Sequence, residues 1–429
     1  MSTFAIRHKF ISFAFQMAVI KVPIQEFLQL AQSHPVLDVR SPGEYQHAHI
    51  PDAVSFPLFS DEERKEVGTA YKQVSREEAI KIGLDFFGPK MRSMVEQAEK
   101  IGGNWQKPVG NWQLAVGKGE KLNWQLAGGK GEEENTDTQH EEFANSQLPT
   151  ANSLANSQLP TANSFVNSIL VHCWRGGMRS AAIAWLLDLY GFKVYQLDGG
   201  YKAFRNWTLE QVRKDYAFRI IGGYTGSGKT FVLQELSKRG KSAIDLEGIA
   251  KHKGSAFGGL DRIPQPSSEM FENILASQLF RLTEKEAANE IWIEDESQRI
   301  GNLNMPYELW QVFRTKPLYF LDIPFEERLN NIVQEYGAHP KEALINAIVR
   351  IQKRLGGLET KTAVNCLIEN DIKGCFDILL KYYDKHYTKA LNLRPDLKEV
   401  MIKIEADKVD AKVNAIKILN LEHESGTGK

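Results

Sequence analysis

The chain has 429 residues, 42% hydrophobic and 25% charged, a composition ordinary for a globular protein with room for two or three domains. Its 53 Lys and Arg against 54 Asp and Glu give a net charge of −1, which neither supports nor excludes nucleic-acid binding, since a basic face can be offset elsewhere. Three cysteines, Cys173, Cys366 and Cys375, exclude a disulfide framework and lack metal-site spacing, and no apolar run is long enough to span a membrane, so a reducing cytoplasmic setting is expected.

Residues 1–16 place a basic patch before a short apolar run but lack a small-residue cleavage site, and read as a dispensable N-terminal extension or an over-long start rather than as an address. From Met17 a first strand is expected (A-V-I-K-V-P-I), then a helix over 24–30 and a strand over 36–40 (V-L-D-V-R). Pro42 and Gly43 signal a turn before a brief helix at 44–49, and a second strand is expected within 49–58. Residues 64–68, 75–83 and 86–101 read as helical. Residues 103–168 then change character. N-W-Q-L-A-V-G-K-G-E-K-L is followed by N-W-Q-L-A-G-G-K-G-E, and N-S-Q-L-P-T-A-N-S occurs twice, so this stretch reads as a disordered repeat insertion. Trp105, Trp112 and Trp124 within it offer a stacking platform for RNA bases, although repeat expansion accounts for their spacing more simply.

Residues 169–180 read I-L-V-H-C-W-R-G-G-M-R-S, a buried strand, a tight loop and, from Ala181, a helix. Inward-pointing loop N–H groups and a helix N-terminus favour an anion, so Cys173 is expected as a thiolate. Arg179 can add a bidentate contact to an oxyanion. The pattern suits a sulfur nucleophile acting on a group that carries phosphate, sulfur or selenium; the bland alternative is a structural cysteine at a strand end. A strand at 194–198 completes an alternating pattern that predicts a parallel sheet with helices on both faces.

D-V-R-S-P-G-E-Y at 38–45, H-I-P-D-A at 49–53, the Cys173 loop and L-D-G-G-Y at 197–201 resemble the rhodanese family. The resemblance implies that Cys173 carries a chalcogen as a persulfide or its selenium analogue. Arg179 stands six positions after the cysteine, one more than the common sulfurtransferase loop, which makes a wider cradle suited to a tetrahedral group. The same residues, H-C-x5-R-S, satisfy a cysteine-phosphatase signature, for which Asp198 is the candidate general acid.

After a helical link, a strand at 218–223 leads into G-Y-T-G-S-G-K-T. Gly223, Gly228, Lys229 and Thr230 fit the phosphate-loop pattern, with Thr225, Gly226 and Ser227 supplying the backbone between them. The glycines let the backbone wrap an oxyanion, Lys229 adds a point charge, and Thr230 can meet a phosphate or a bound Mg²⁺. Strands at 242–247 and 291–297 end in Asp245 and in Glu294, Asp295 and Glu296, where Mg²⁺-side carboxylates are expected; Asp295 is the first choice, and a solvated acidic turn is the alternative. Residues 252–258 (H-K-G-S-A-F-G) and 265–273 read as a substrate-contacting segment or an ordinary surface loop. A strand is expected at 316–324, and mostly helix from Pro340 onward, with a frayed end.

The expected fold is therefore α/β: a rhodanese-like parallel-sheet domain over 17–205 carrying the insertion, a P-loop NTPase-like α/β domain over 216–340, and a helical C-terminal part over 341–425. C-W-R-G-G-M-R-S, G-Y-T-G-S-G-K-T, L-E-G-I-A-K-H-K-G-S-A-F-G, I-E-D-E-S-Q-R-I-G and Y-Y-D-K-H-Y (382–387) together resemble the tRNA 2-selenouridine synthase family. That resemblance implies a tRNA partner bearing 2-thiouridine at the wobble position, S-geranylation from geranyl diphosphate, then selenium from selenophosphate. It implies that Cys173 is the chalcogen-handling nucleophile, through a selanyl-cysteine. Arg175, Arg179 and the loop amides, across Trp174, Arg175, Gly176, Gly177, Met178, Arg179 and Ser180, would hold selenophosphate, and the phosphate loop would hold the prenyl diphosphate. No tightly bound cofactor is expected, Mg²⁺ is left open, and a monomer is favoured. A rhodanese-type sulfurtransferase coupled to a P-loop NTPase, and a cysteine phosphatase, are the alternatives. Lys251, Lys253, Arg262, Lys353 and Arg354 are candidates for tRNA contact, each equally readable as a solvated charge.

Overall fold

The computed structural model describes residues 19–103, 105, 168–261, 263–285 and 290–426. The expected N-terminal extension, Arg262 and nearly all of the repeat insertion, with Trp112 and Trp124, lie outside them. Trp105 borders a small cavity with Leu28, Trp207 and Phe280.

The first sheet is built from β1 (Ile20–Val22), β2 (Val36–Asp38), β3 (Val54–Ser55), β4 (Ser168–His172) and β5 (Lys193–Leu197), in the order β1-β5-β4-β2-β3 with every pairing parallel. Central β4 is buried on both faces, as a parallel sheet requires. Ile169 and Val171 face a cluster with Met94, Ile183 and Leu187, while Leu170 faces Phe27, Leu197 and Phe204. The second sheet uses β6 (Phe218–Gly223), β7 (Ala243–Ile244), β8 (Ile291–Glu294), β11 (Leu318–Asp322) and β12 (Met401–Glu405), in the order β12-β11-β6-β8-β7, again all parallel. A short antiparallel pair, β9 (Arg299–Ile300) and β10 (Leu303–Asn304), lies beside it.

Several boundaries differ from the sequence reading. The helices expected over 75–83 and 86–101 are Arg76–Phe87 and Met91–Gly103, and the break between them falls later than expected, at a 3₁₀ turn over Gly88–Lys90 where Pro89 supplies no N–H. The strand expected within 49–58 shrinks to Val54–Ser55. The helix after the cysteine loop starts at Met178, three residues early. The C-terminal part is helical over Lys341–Leu355, Gly357–Ile368 and Ile372–Asn392, but Met401–Glu405 is a strand paired with β11 along its whole length. Ile404, 2% exposed, packs that strand into the second domain's core. The last helix, Ala411–Gly426, extends into the stretch expected to fray.

The Ser268–Lys285 helix of the second domain packs on the Gly200–Gln211 helix of the first. Met270, Ala276 and Phe280 join Tyr201, Phe204 and Trp207 in one apolar cluster. Asn273, fully buried, donates to Tyr201 Oη at 2.8 Å and to His49 O at 3.0 Å. Arg205 donates to Glu272 at 2.6 Å, and Arg281 to Asp52 at 2.7 Å. Asn273→Ala removes the donor to a carbonyl buried in this junction, so a loss of about 1–3 kcal/mol is expected. The urea-unfolding midpoint measures it, and an unchanged midpoint would show that this amide does not hold the domains together.

Candidate functional site

Two loops leave the C-terminal ends of the central strands, one in each sheet. The first runs from β4 through Cys173 to Gly177 and into the Met178–Tyr190 helix. Its carbonyls are fixed by the turn after β5. Tyr201 N–H donates to Cys173 O at 2.8 Å, and Lys202 N–H to Trp174 O at 2.9 Å. Gly200 makes this contact feasible: its φ is +59°, and a Cβ there would stand 2.4 Å from Cys173 O and from Gly176 N. Cys173 itself is 3% exposed. Ser180 Oγ lies 3.2 Å from its sulfur and 3.1 Å from Gly177 O. Gln196 Nε2 donates to Ser180 Oγ at 2.8 Å, filling an acceptor site and leaving the Ser180 proton for the sulfur or for Gly177 O.

The charges around this loop are paired. Arg40, 1% exposed, forks onto Asp38 with contacts of 2.9 and 2.6 Å, and lies 3.8 Å from the Tyr201 ring centre. His172 is fully buried with neither ring nitrogen hydrogen-bonded; burial pushes its pKa down to about 4, so its ring is neutral at physiological pH. Arg179 donates to Glu44 at 2.7 Å, and Arg64 reaches the same carboxylate oxygen at 3.0 Å. Burial alone would raise the Glu44 carboxyl, but these cations and Ser41 N–H outweigh it and hold it below the usual carboxylate range. A cavity of about 480 Å³ opens here, bordered by Arg64, Trp174, Arg179 and Glu269. Trp174, Arg175, Gly177 and Met178 are exposed on the loop's outer side. Asp198, the candidate acid of the phosphatase alternative, is exposed and accepts from Gly199 N–H at 3.0 Å.

The second loop runs from β6 to the Lys229–Lys238 helix. Lys229 Nζ donates to Gly223 O at 3.1 Å, and Ser227 Oγ is buried without a partner. A framework that the sequence reading did not assign holds the loop from outside. Arg328, 4% exposed, donates to Thr225 O at 3.1 Å and forks onto Asp384 at 2.9 and 2.8 Å. Asn331 donates to Gly226 O at 3.1 Å. Gly226 has φ +82°, and a Cβ there would lie 2.7 Å from Ile332. Tyr387 Oη accepts from Gly223 N–H at 3.3 Å and donates to Asp295 at 2.7 Å. The signal for this framework was Y-Y-D-K-H-Y, in which Asp384 and Tyr387 are three apart on one helix and so share a face.

The acidic run after β8 splits by residue. Glu294 Oε2 lies 2.8 Å from Thr230 Oγ1, whereas Asp295 turns to Tyr387 and to Arg394 at 3.2 Å. The carboxylate beside Thr230 is therefore Glu294, where the sequence favoured Asp295; successive side chains of an extended segment face opposite ways. Glu247, not singled out from the sequence, approaches Thr230 Oγ1 at 3.2 Å. Asp245 caps the Leu246–Ala250 helix through Gly248 N–H. Burial, then repulsion from Glu296, pushes the Glu247 carboxyl up to about 8; burial, then repulsion from Glu294, does the same to Glu296. Among the described residues no group of three His, Cys, Asp or Glu is placed to hold a metal ion.

The phosphate loop, these carboxylates, the 252–258 loop and the Ile372–Asn392 helix enclose a cavity of about 1190 Å³. Lys251, Lys253 and Arg354 border it; Lys353 instead borders a separate surface depression with Lys361. Among the described residues no helix is long and apolar enough to cross a membrane.

A family model described as the tRNA 2-selenouridine synthase AAA domain matches residues 216–416, and a rhodanese-like domain model matches 24–81. A tRNA 2-selenouridine synthase from Sulfurovum sp. is 32% identical over 347 residues, covering 76% of this chain and 77% of the relative. Those from Shewanella pealeana and Hydrogenovibrio crunogenus are 29% identical over 415 residues and 31% over 342, covering 89% and 75% of this chain and 95% and 76% of the relatives. The chain belongs to the tRNA 2-selenouridine synthase family. In this family member, the rhodanese-like fold carries the Cys173 loop and the AAA domain carries the phosphate loop.

Two predictions follow from the packing of these loops. Gly200→Ala forces a side chain into the Cys173 loop at positive φ, at a cost of about 1–3 kcal/mol; a lower melting temperature and faster alkylation of Cys173 are expected, and unchanged alkylation would show that the turn does not hold the loop closed. Glu247 and Glu296 have folded pKa values above their unfolded ones, so their contribution to stability is full below the ordinary carboxylate range and is lost as pH rises through about 8. The melting temperature should therefore fall as pH rises from about 5 to about 8 and level off above that, and Glu247→Gln should flatten that slope and raise the value measured at about pH 8.5.

Proposed function

We propose that this chain forms 2-selenouridine in tRNA, converting wobble 2-thiouridine through S-geranylation by geranyl diphosphate and then selenation by selenophosphate. Membership of the family supports the overall conversion. The observation that carries the first step is the shape of the large cavity, which has the phosphate loop at one side and Phe257, Ile332, Phe376, Leu379 and Leu380 on its walls. That pairing suits an anionic head with an apolar tail.

In the first step the 2-thiouridine sulfur attacks C1 of the geranyl group. A C–S bond forms, the C–O bond breaks, and pyrophosphate leaves with the electron pair. Lys229 and the N–H groups of the loop stabilise that leaving charge without ATP hydrolysis. In the second step selenium replaces the geranylated sulfur at C2 of the base, geranylthiol departs, and the P–Se bond is hydrolysed to phosphate. The Cys173 loop is the site assigned to this step, with Cys173 as the thiol that handles the selenium. No tightly bound cofactor belongs to this reading; Mg²⁺ would arrive with the diphosphate and meet Thr230 and Glu294.

The test is nucleoside mass spectrometry of 2-thiouridine tRNA incubated with geranyl diphosphate and then with selenophosphate. Lys229→Ala should reduce geranylation at least 100-fold. Cys173→Ala should leave geranylation within about twofold and abolish selenation. Loss of both steps in the cysteine variant, or a requirement for ATP hydrolysis, would overturn the two-site reading. Phosphate release from a simple aryl phosphate without tRNA would favour the phosphatase alternative.

A further inference from the structure

Three aromatic rings form one wall of the large cavity. Phe257, Tyr336 and Phe376, 3%, 7% and 3% exposed, form a mutually packed triangle with centroid separations of 6.0, 5.6 and 6.1 Å. Each comes from a different element: the 252–258 loop, the Phe325–Tyr336 helix and the Ile372–Asn392 helix. All three line the cavity, and behind them stand Leu344, Ala347 and Leu367, all fully buried. The triangle is thus a wall backed by packed core.

The Ile372–Asn392 helix measures the distance from this wall to the phosphate loop. Tyr387 sits at the loop, accepting from Gly223 N–H. Phe376 is eleven residues earlier on the same helix, which at 1.5 Å per residue is ~16 Å along the axis. Leu379, Leu380 and Tyr383 lie between them and face the cavity. With bonds of about 1.5 Å, an extended diphosphate with an eight-carbon main chain reaches roughly 15 Å, and one with a twelve-carbon main chain roughly 20 Å.

We propose that the Phe257–Tyr336–Phe376 wall sets the length of the prenyl donor, admitting a ten-carbon geranyl group and excluding the fifteen-carbon farnesyl group. This rests on the prenyl-diphosphate reading of the cavity and adds to it the residues that decide chain length. The rings cannot retreat, because close-packed side chains occupy the space behind them. Shorter donors fit but leave part of the apolar wall uncovered, so they bind less well.

The test compares dimethylallyl, geranyl and farnesyl diphosphates with 2-thiouridine tRNA, using the full-length protein and mass spectrometry of the modified nucleoside. The wild-type protein should transfer geranyl at least tenfold faster than farnesyl. Phe376→Ala should shift the farnesyl-to-geranyl ratio upward by tenfold or more, and the milder Phe376→Leu by less. Leu380→Phe fills the channel nearer the loop and should shift preference toward dimethylallyl. Circular dichroism identifies folded variants; should Phe376→Ala fail to fold, Phe376→Leu and Leu380→Phe carry the decision. Wild-type ratios in the folded variants would overturn the assignment of the wall while leaving geranylation intact. Absence of prenyl transfer from every diphosphate by the wild-type protein would overturn both readings together.

Discussion

Tyr201 ties the molecule together at one point. Its N–H holds the carbonyl of Cys173 at 2.8 Å, its ring lies 3.8 Å under the Arg40 guanidinium, and its hydroxyl donates to Glu269 at 2.7 Å on a helix of the second domain. Arg40 in turn is locked to Asp38 at the end of β2. One residue therefore braces the cysteine loop through its backbone and, through its side chain, meets Arg40 and the neighbouring domain. Burial pushes its phenol well above the usual range, so the hydroxyl stays protonated and can go on donating. Asn273, which donates to the same oxygen, completes its hydrogen bonding. A buried polar centre of this kind is stable because its donors and acceptors are all matched.

The two loops share a geometry and differ in access. Both leave the central strand of a five-stranded parallel sheet: β4 has β2 and β3 on one side and β5 and β1 on the other, and β6 has β8 and β7 on one side and β11 and β12 on the other, the position where a crevice opens in such sheets. The phosphate loop opens into a cavity of about 1190 Å³. The cysteine loop has its thiol 3% exposed, and only its Trp174 and Arg179 border a cavity of about 480 Å³. A loop braced this tightly suits a small inorganic reagent, and the wide cavity suits a reagent with an extended tail. The proposed division of labour follows this difference in room.

Much of this was legible in the chain because the decisive features are local. A strand, glycines and a helix in succession identify each loop, and the short apolar runs in I-L-V-H and F-R-I-I mark the buried strands. What was not legible depends on partners distant in sequence. Met401–Glu405 is a strand because β11 pairs with it from about eighty residues away, and its short mixed pattern carries no strong period of its own. Glu294 and Asp295 are adjacent in the chain, yet only the fold decides which meets Thr230 and which meets Tyr387 and Arg394. The Arg328–Asp384 fork joins residues 56 apart, and nothing near Arg328 in sequence announces it.

Arg179 shows how the fold reshapes a motif's meaning. In sequence it is the arginine of an anion loop, free to grip an oxyanion. In the structure its anion is already present, the Glu44 carboxylate, which Arg64 and Ser41 also hold. An incoming anion has to displace a group that carries one negative charge and is tethered by the short helix it caps. A singly charged visitor gains nothing from Coulomb attraction over Glu44, so exchange favours an oxyanion of higher charge, such as a phosphate-like group. On the proposed reading of this loop, the carboxylate would filter what it accepts, since Arg179 and Arg64 both pair with Glu44. The C-x5-R spacing would then supply the cradle, and Glu44 the charge that an occupant must exceed.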